Sequence, residues 1–166
     1  MRGDEVRTLF DYSYWATGRV LDAAVGISAA QFCAPAPMPF PFDDLRGTLV
    51  HTLDTERNAR VRLRGEVQPP SLHVEDFPTP AELTDFWQEE EAHMRAYLAG
   101  LSDEDLQQPF DLGSRGTLPV WELLLHFANH STQHRSEAAI LLTYFGHSPG
   151  DLDFFLYAIT RLDSDR

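Results

Sequence analysis

Proline is distributed in this chain so that little but helices can form between its clusters. The stretches APAPMPFPF (34–42) and VQPPSLHVEDFPTP (67–80) hold most of the prolines. Inside a helix a proline loses a backbone hydrogen bond and clashes with the preceding turn, so both stretches are loops. The segments around them carry apolar residues at three- and four-residue spacing, the period of a helix face. The first spans about 4–25, with Leu9, Phe10, Tyr14, Trp15, Val20 and Leu21, and Gly26 as its stop. The second starts near Phe42 with Asp43 as N-cap and runs to Arg64, followed by Gly65. The third opens on Thr79-Pro80 with Glu82 three residues on, a capping box with proline at the first helical position, and runs to about Ala99. Gly113 to Pro119 marks off a fourth, from about Pro119 to Phe145, closed by Gly146. Ser102 to Asp105 reads as a short helical start, and DLDFFLYAI (151–159) as a short fifth helix. Four long helices in one domain over residues 1–166 predict an all-α fold, a four-helix bundle.

Composition removes several functions. The chain has a formal net charge of −13, and its 13 basic residues are all arginine. An acidic chain without a basic stripe is unsuited to nucleic acid, where neutralising phosphate dominates affinity. It is repelled by an anionic membrane surface as well. The lack of lysine excludes Schiff-base chemistry at a lysine amine. Cys33 stands alone, so no disulfide framework is expected. No apolar run of membrane-spanning length occurs. The N-terminal MRGDEVRTLF lacks the layout of a secretory signal. The expectation is a cytoplasmic protein that binds neither nucleic acid nor membrane.

The chemistry concentrates in HFANHSTQHR, where His126, His130 and His134 follow one another at four-residue intervals. A helix rises about 1.5 Å per residue, so His126 and His134 stand roughly 12 Å apart and cannot share one ion. Adjacent pairs can, because residues i and i+4 share a face. The candidates are therefore His126/His130 and His130/His134. On a helical wheel His134 falls in the apolar sector with Val120, Leu124, Phe127, Ala138, Leu142 and Phe145, and His130 lies at its edge. His126 points further round, so the second pair is better placed to face the bundle. A mononuclear site needs a third ligand. His73 sits in a proline-bounded loop, and His93 among Glu89, Glu90, Glu91 and Arg95. His51 shares a small, mostly uncharged sector with Gly47, Thr48, Thr55, Asn58 and Ala59, although the leucine stripe of its segment lies on another side. Periodicity leaves the choice open, and a hydrogen-bonded core histidine is the competing reading for every one of these.

Three blocks, LFDYSYWATGRVLDAAVGISAAQF, LVHTLDTERNARVRL and LLLHFANHSTQHRSEAAILLTYFG followed by DLDFFLYAI, resemble the DinB/YfiT-like family in order and over nearly the whole chain. The most specific part is the H-x-x-x-H-R block with a lone upstream histidine. The resemblance implies an up-down-down-up four-helix bundle, usually a homodimer. It implies one divalent metal ion held by His51, His130 and His134, with His126 outside the triad. Zinc is the first expectation; nickel, iron and manganese are compatible with three imidazoles.

Three histidines leave a coordination position open, the layout of a catalytic rather than a structural site. An open divalent ion lowers the pKa of bound water or thiol. Relatives in the wider family include thiol S-transferases that use low-molecular-weight thiols such as bacillithiol or mycothiol. The resemblance thus implies metal-dependent transfer of a small-molecule thiol to an electrophile, in stress response or detoxification. Two other readings stand beside it: a non-catalytic, stress-induced metal-binding bundle, and a metal-dependent hydrolase. Arg135 can bind a thiol cofactor's carboxylate or phosphate, or form a structural ion pair. Asp54 and Glu137 can orient a bound imidazole, although their wheel positions disfavour it. Trp121, Leu125 and Ile140 form a dimer patch or lie under the 101–119 loop.

Overall fold

The computed structural model describes residues 1–164 and is dominated by helices. In chain order these are α1 (Gly3–Val25), α2 (Ala29–Phe32), α3 (Leu45–Leu63), α4 (Pro80–Ala99), α5 (Asp103–Gln107), α6 (Val120–Tyr144) and α7 (Phe154–Ser164). The four long segments expected from the sequence are α1, α3, α4 and α6. Local chemistry sets their ends. The Thr79 side chain accepts the Glu82 N–H, and the Glu82 carboxylate takes the Thr79 N–H at 3.1 Å, closing the capping box of α4.

At α3 the N-cap is Asp44 rather than the expected Asp43, its carboxylate accepting the Gly47 N–H at 2.6 Å. Asp43 is used otherwise: its carbonyl accepts the Ala36 N–H at 2.7 Å and closes the proline loop on itself. Two small features went unpredicted, α2 and an antiparallel hairpin of β1 (Pro109–Asp111) and β2 (Thr117–Pro119). Strands of three residues are too short to show alternation. Gly113 and Gly116, with φ of 66° and 92°, make the turn between them.

Helix α1 packs against α4 and α6, and α3 packs against the same two. Each long helix therefore has two long neighbours, with α1 diagonal to α3 and α4 diagonal to α6. Tyr12 and Trp15 of α1 meet Phe154 and Tyr157 through ring contacts of 5.1–5.8 Å and hold α7 against the bundle. No helix among the described residues is long and apolar enough to cross a membrane.

The core is divided. One apolar cluster contains Val20, Leu21 and Ala24 of α1 with Leu45, Leu49 and Leu53 of α3 and Ala138, Leu141 and Leu142 of α6. The other contains Val6, Phe10 and Tyr14 of α1 with Met94 and Leu98 of α4 and Val120, Leu124 and Ala128 of α6. Between Ala128 and Ala138, α6 turns polar residues inward: Ser131, His134 and Arg135 are all buried. Ser13 and Thr17 of α1 and Thr52 and Glu56 of α3 are buried too. The bundle thus has a polar level between two apolar ends, and the functional candidates lie in it.

Candidate metal centre

His130 and His134 stand one turn apart on the face of α6 that meets α3, and α3 brings His51 to the same point. His130 Nε2 lies 3.3 Å from His51 Nε2 and 3.2 Å from His134 Nε2. Ligating nitrogens of all three residues fall within 4.8 Å of one another. Tetrahedral zinc with nitrogen ligands at about 2.0–2.1 Å needs those nitrogens roughly 3.3 Å apart. The spacing fits a single small divalent ion.

The protonation pattern also fits. His134 Nδ1 meets Glu137 Oε2 at 2.7 Å, in a pair whose side chains are only 5% and 14% exposed. In neutral His134 the proton then sits on Nδ1, and Nε2 turns a lone pair into the cluster. Burial, then the fields of His134, His51 and His126, push His130 down to about 4. Burial and the field of His134 likewise lower His51. Neutral imidazole is the form that binds metal. The Nε2 atoms of His130, His134 and His51 converge on one point, where a cation would meet their lone pairs. These three histidines can hold a metal ion, and among the described residues no fourth ligating side chain joins them.

Phe42 forms one wall, its ring centroid 4.4 Å from that of His51 and 5.5 Å from that of His134. Sequence periodicity gave no reason to place it here, since it belongs to the proline loop. Glu137 is a residue that the wheel misjudged. It lies off the inward sector, but an i+3 side chain reaches back to the ring of His134, and Gln133 Nε2 steadies its other oxygen at 3.2 Å. Asp54 does not orient His51 in this way. It accepts the Leu72 N–H at 3.1 Å and ties down the second proline loop.

The remaining candidates lie apart. His126 is exposed rather than packed, its ring 5.8 Å from that of His130 but outside the cluster. His73 is exposed beside the turn Val74–Asp76, and His93 is exposed on α4, 3.7 Å from Glu90. Arg135 corrects both sequence readings. It is 3% exposed, it offers no fork to solvent, and among the described residues no carboxylate lies within ion-pair distance of it. Instead Nη1 donates to Ser13 Oγ at 2.7 Å and Nη2 to Thr132 Oγ1 at 2.8 Å, with the Tyr12 ring 5.6 Å away. The suggested dimer patch divides: Trp121 packs against the second apolar cluster, while Leu125 and Ile140 are exposed.

A helical bundle in which two helices focus three imidazole nitrogens on one point is of a class that can hold a metal ion between its helices. The model of the DinB superfamily matches residues 14–138, a span that includes all three histidines. The chain belongs to that superfamily. A search of the curated proteins finds no match.

Proposed function

We propose that this protein is a metal-dependent thiol S-transferase of the bacillithiol or mycothiol type, passing a low-molecular-weight thiol to an electrophile in detoxification or stress response. The observation that supports this reading is the convergence of three imidazole nitrogens that no fourth ligating side chain joins among the described residues. A divalent ion there, zinc first, would supply an open position that favours a thiol as its thiolate at neutral pH.

The chain's own residues serve this reading in distinct ways. His51, His130 and His134 supply the donors. Glu137 fixes the His134 ring and the position of its proton. Phe42 keeps water from one side of the cluster. A net charge of −13 disfavours strongly anionic electrophiles and suits neutral ones. The homodimer expected from the family resemblance and a cytoplasmic location are part of the same proposal.

The test begins with tag-free protein, because nickel-affinity purification can load the site artificially. Metal content by mass spectrometry is expected to be about one ion per chain. Conjugation of monochlorobimane is then followed with and without added thiol. Thiol-dependent loss of the electrophile, abolished by a chelator and restored by metal, is the expected result. Hydrolysis of ester or amide substrates without thiol would favour the hydrolase instead. Full metal occupancy with neither activity would leave a binding protein.

A further inference from the structure

The metal centre has different neighbours at its two ends along the bundle axis. Leu45 and Leu49, which precede His51 in α3, share an apolar cluster with Ala138, Leu141 and Leu142, which follow His134 in α6. The two helices therefore run antiparallel past the centre. Phe42 precedes α3, so it stands at the end nearer the C-terminus of α6, with its ring against His51 and His134. Its seat is fitted: a Cβ built on Gly47 would lie 3.4 Å from Phe42 Cβ. His126 stands at the opposite end, one turn before His130. Its ring lies 5.8 Å from that of His130 and 5.2 Å from that of Phe127. His134 is buried, His130 part-buried and His126 exposed, so the three rings lead from the interior to solvent along one helix. At this end α3 continues the face of His51 with Thr55, whose side chain is polar and part-buried. One end of the centre is thus closed by an apolar ring, and the other is open and polar.

We infer that His126 is a substrate-contacting residue: its ring meets the part of a bound thiol that projects from the three-histidine centre toward solvent, and so selects thiols with a hydrogen-bonding group close to sulfur. The inference rests on the thiol-transfer reading and deepens it by naming what tells one thiol from another. A ligand leaves the centre on the side that Phe42 does not close, and that side leads past His126. A neutral imidazole carries one N–H donor and one acceptor nitrogen. Neither ring nitrogen of His126 has a hydrogen-bond partner among the described residues. The ring can therefore answer a hydroxyl, carbonyl or amine of a ligand without giving up a bond inside the protein. Its place on the helix matters as well. His126 is outside the group of three that can share an ion, yet its ring adjoins that of His130. It is placed to reach past the sulfur to the next polar group of the same ligand. A thiol with a methyl group at that point would lose the hydrogen bond and be disfavoured.

Cobalt-loaded, tag-free protein reports thiol binding through its visible spectrum, without turnover. Dissociation constants are measured for 2-mercaptoethanol and for 1-propanethiol, which match in length and differ in ending on a hydroxyl or a methyl group. The ratio of the two constants is compared between wild type and variants, so that the different acidities of the thiols cancel. The preference for the hydroxyl thiol should fall by about fivefold in His126→Leu, the worth of one hydrogen bond. His126→Gln, whose amide can still donate and accept, should keep part of the preference. Cobalt content and melting temperature should match wild type in both variants.

An unchanged ratio in His126→Leu overturns the inference and leaves thiol transfer standing, because both thiols would still bind. An equal fall in the leucine and glutamine variants also overturns it, since the ring would then act through its shape rather than its nitrogens. A loss of cobalt alongside the fall would make His126 part of the centre's own structure and reject the contact with substrate. A wild-type spectrum that responds to neither thiol rejects the thiol-transfer reading and the inference together.

Discussion

Two polar sites lie in the middle level of the bundle, and they solve the problem of burial in opposite ways. Around Arg135 and Glu56 each strong polar group has found a partner in the chain. Tyr14 donates to the Glu56 carboxyl, and Arg135 donates to Ser13 and Thr132. At the histidine cluster the ring nitrogens of three side chains face one another. Buried polar groups that are satisfied internally hold a structure together, whereas groups that converge unsatisfied await a ligand. The first site is sealed between α1, α3 and α6. The second has His51 and His130 only part-buried, so a ligand can approach.

The contrast is open to direct attack, and the largest effect should come from the histidines. His130→Ala removes the nitrogen that stands between the other two, and bound metal should disappear from mass spectrometry of the purified protein. Retention of metal in that variant would show that the cluster is a packing feature like its neighbour.

The next effect concerns pH. Burial lifts the Glu56 carboxyl from its ordinary 4.5 to about 7. Its proton is held more tightly in the folded chain than in the unfolded one. The stability this gives is full below about 4.5 and is lost as pH rises through about 7. The loss is on the order of 3 kcal/mol. In metal-free protein His130 acts with the opposite sign: lowered from 6.5 to about 4, it costs stability as pH falls through that window. Urea midpoints of metal-free wild type should therefore vary little from pH 5 to 6.5. Glu56→Gln should expose a rise with pH from the histidines, and His130→Ala a fall from Glu56. Identical profiles in both variants would defeat the assignment.

Glu137→Gln should keep the fold but weaken metal binding by about 10–100-fold, the usual effect of removing a carboxylate that orients a ligating histidine. A chelator competition titration measures it. Tyr14→Phe should leave metal affinity untouched and lower stability by about 1–2 kcal/mol, because it strips the buried Glu56 of its hydrogen-bond donor. Calorimetry at pH 6 reads this. The smallest expected effect is at His126, where replacement by alanine should change neither metal content nor melting temperature, since the side chain is exposed and outside the cluster.

Much of this was legible in the chain, and for identifiable reasons. Thr79, Pro80 and Glu82 act within one turn, so the start of α4 could be read to the residue. The pair His130/His134 could be preferred over His126/His130 because helix geometry fixes which residues share a face. Asp43 against Asp44 could not be decided locally, because the choice depends on the contact of Asp43 with Ala36 seven residues earlier. Arg135 was misread for a related reason: its partner Ser13 lies 122 residues away.

What the sequence determined by itself is the four long helices, their approximate lengths and the pair of histidines on α6, because these follow from interactions spanning three or four residues. What only the tertiary structure decided is where the other participants meet that pair. His51 reaches it because α3 packs on α6. Phe42 reaches it because a proline loop folds back over the first turn of α3. Glu137 reaches it by leaning across its own helix, in a direction that a wheel does not capture. Packing of helices and seating of loops are set by surfaces that no short stretch contains, and the site exists only where those surfaces close on one another.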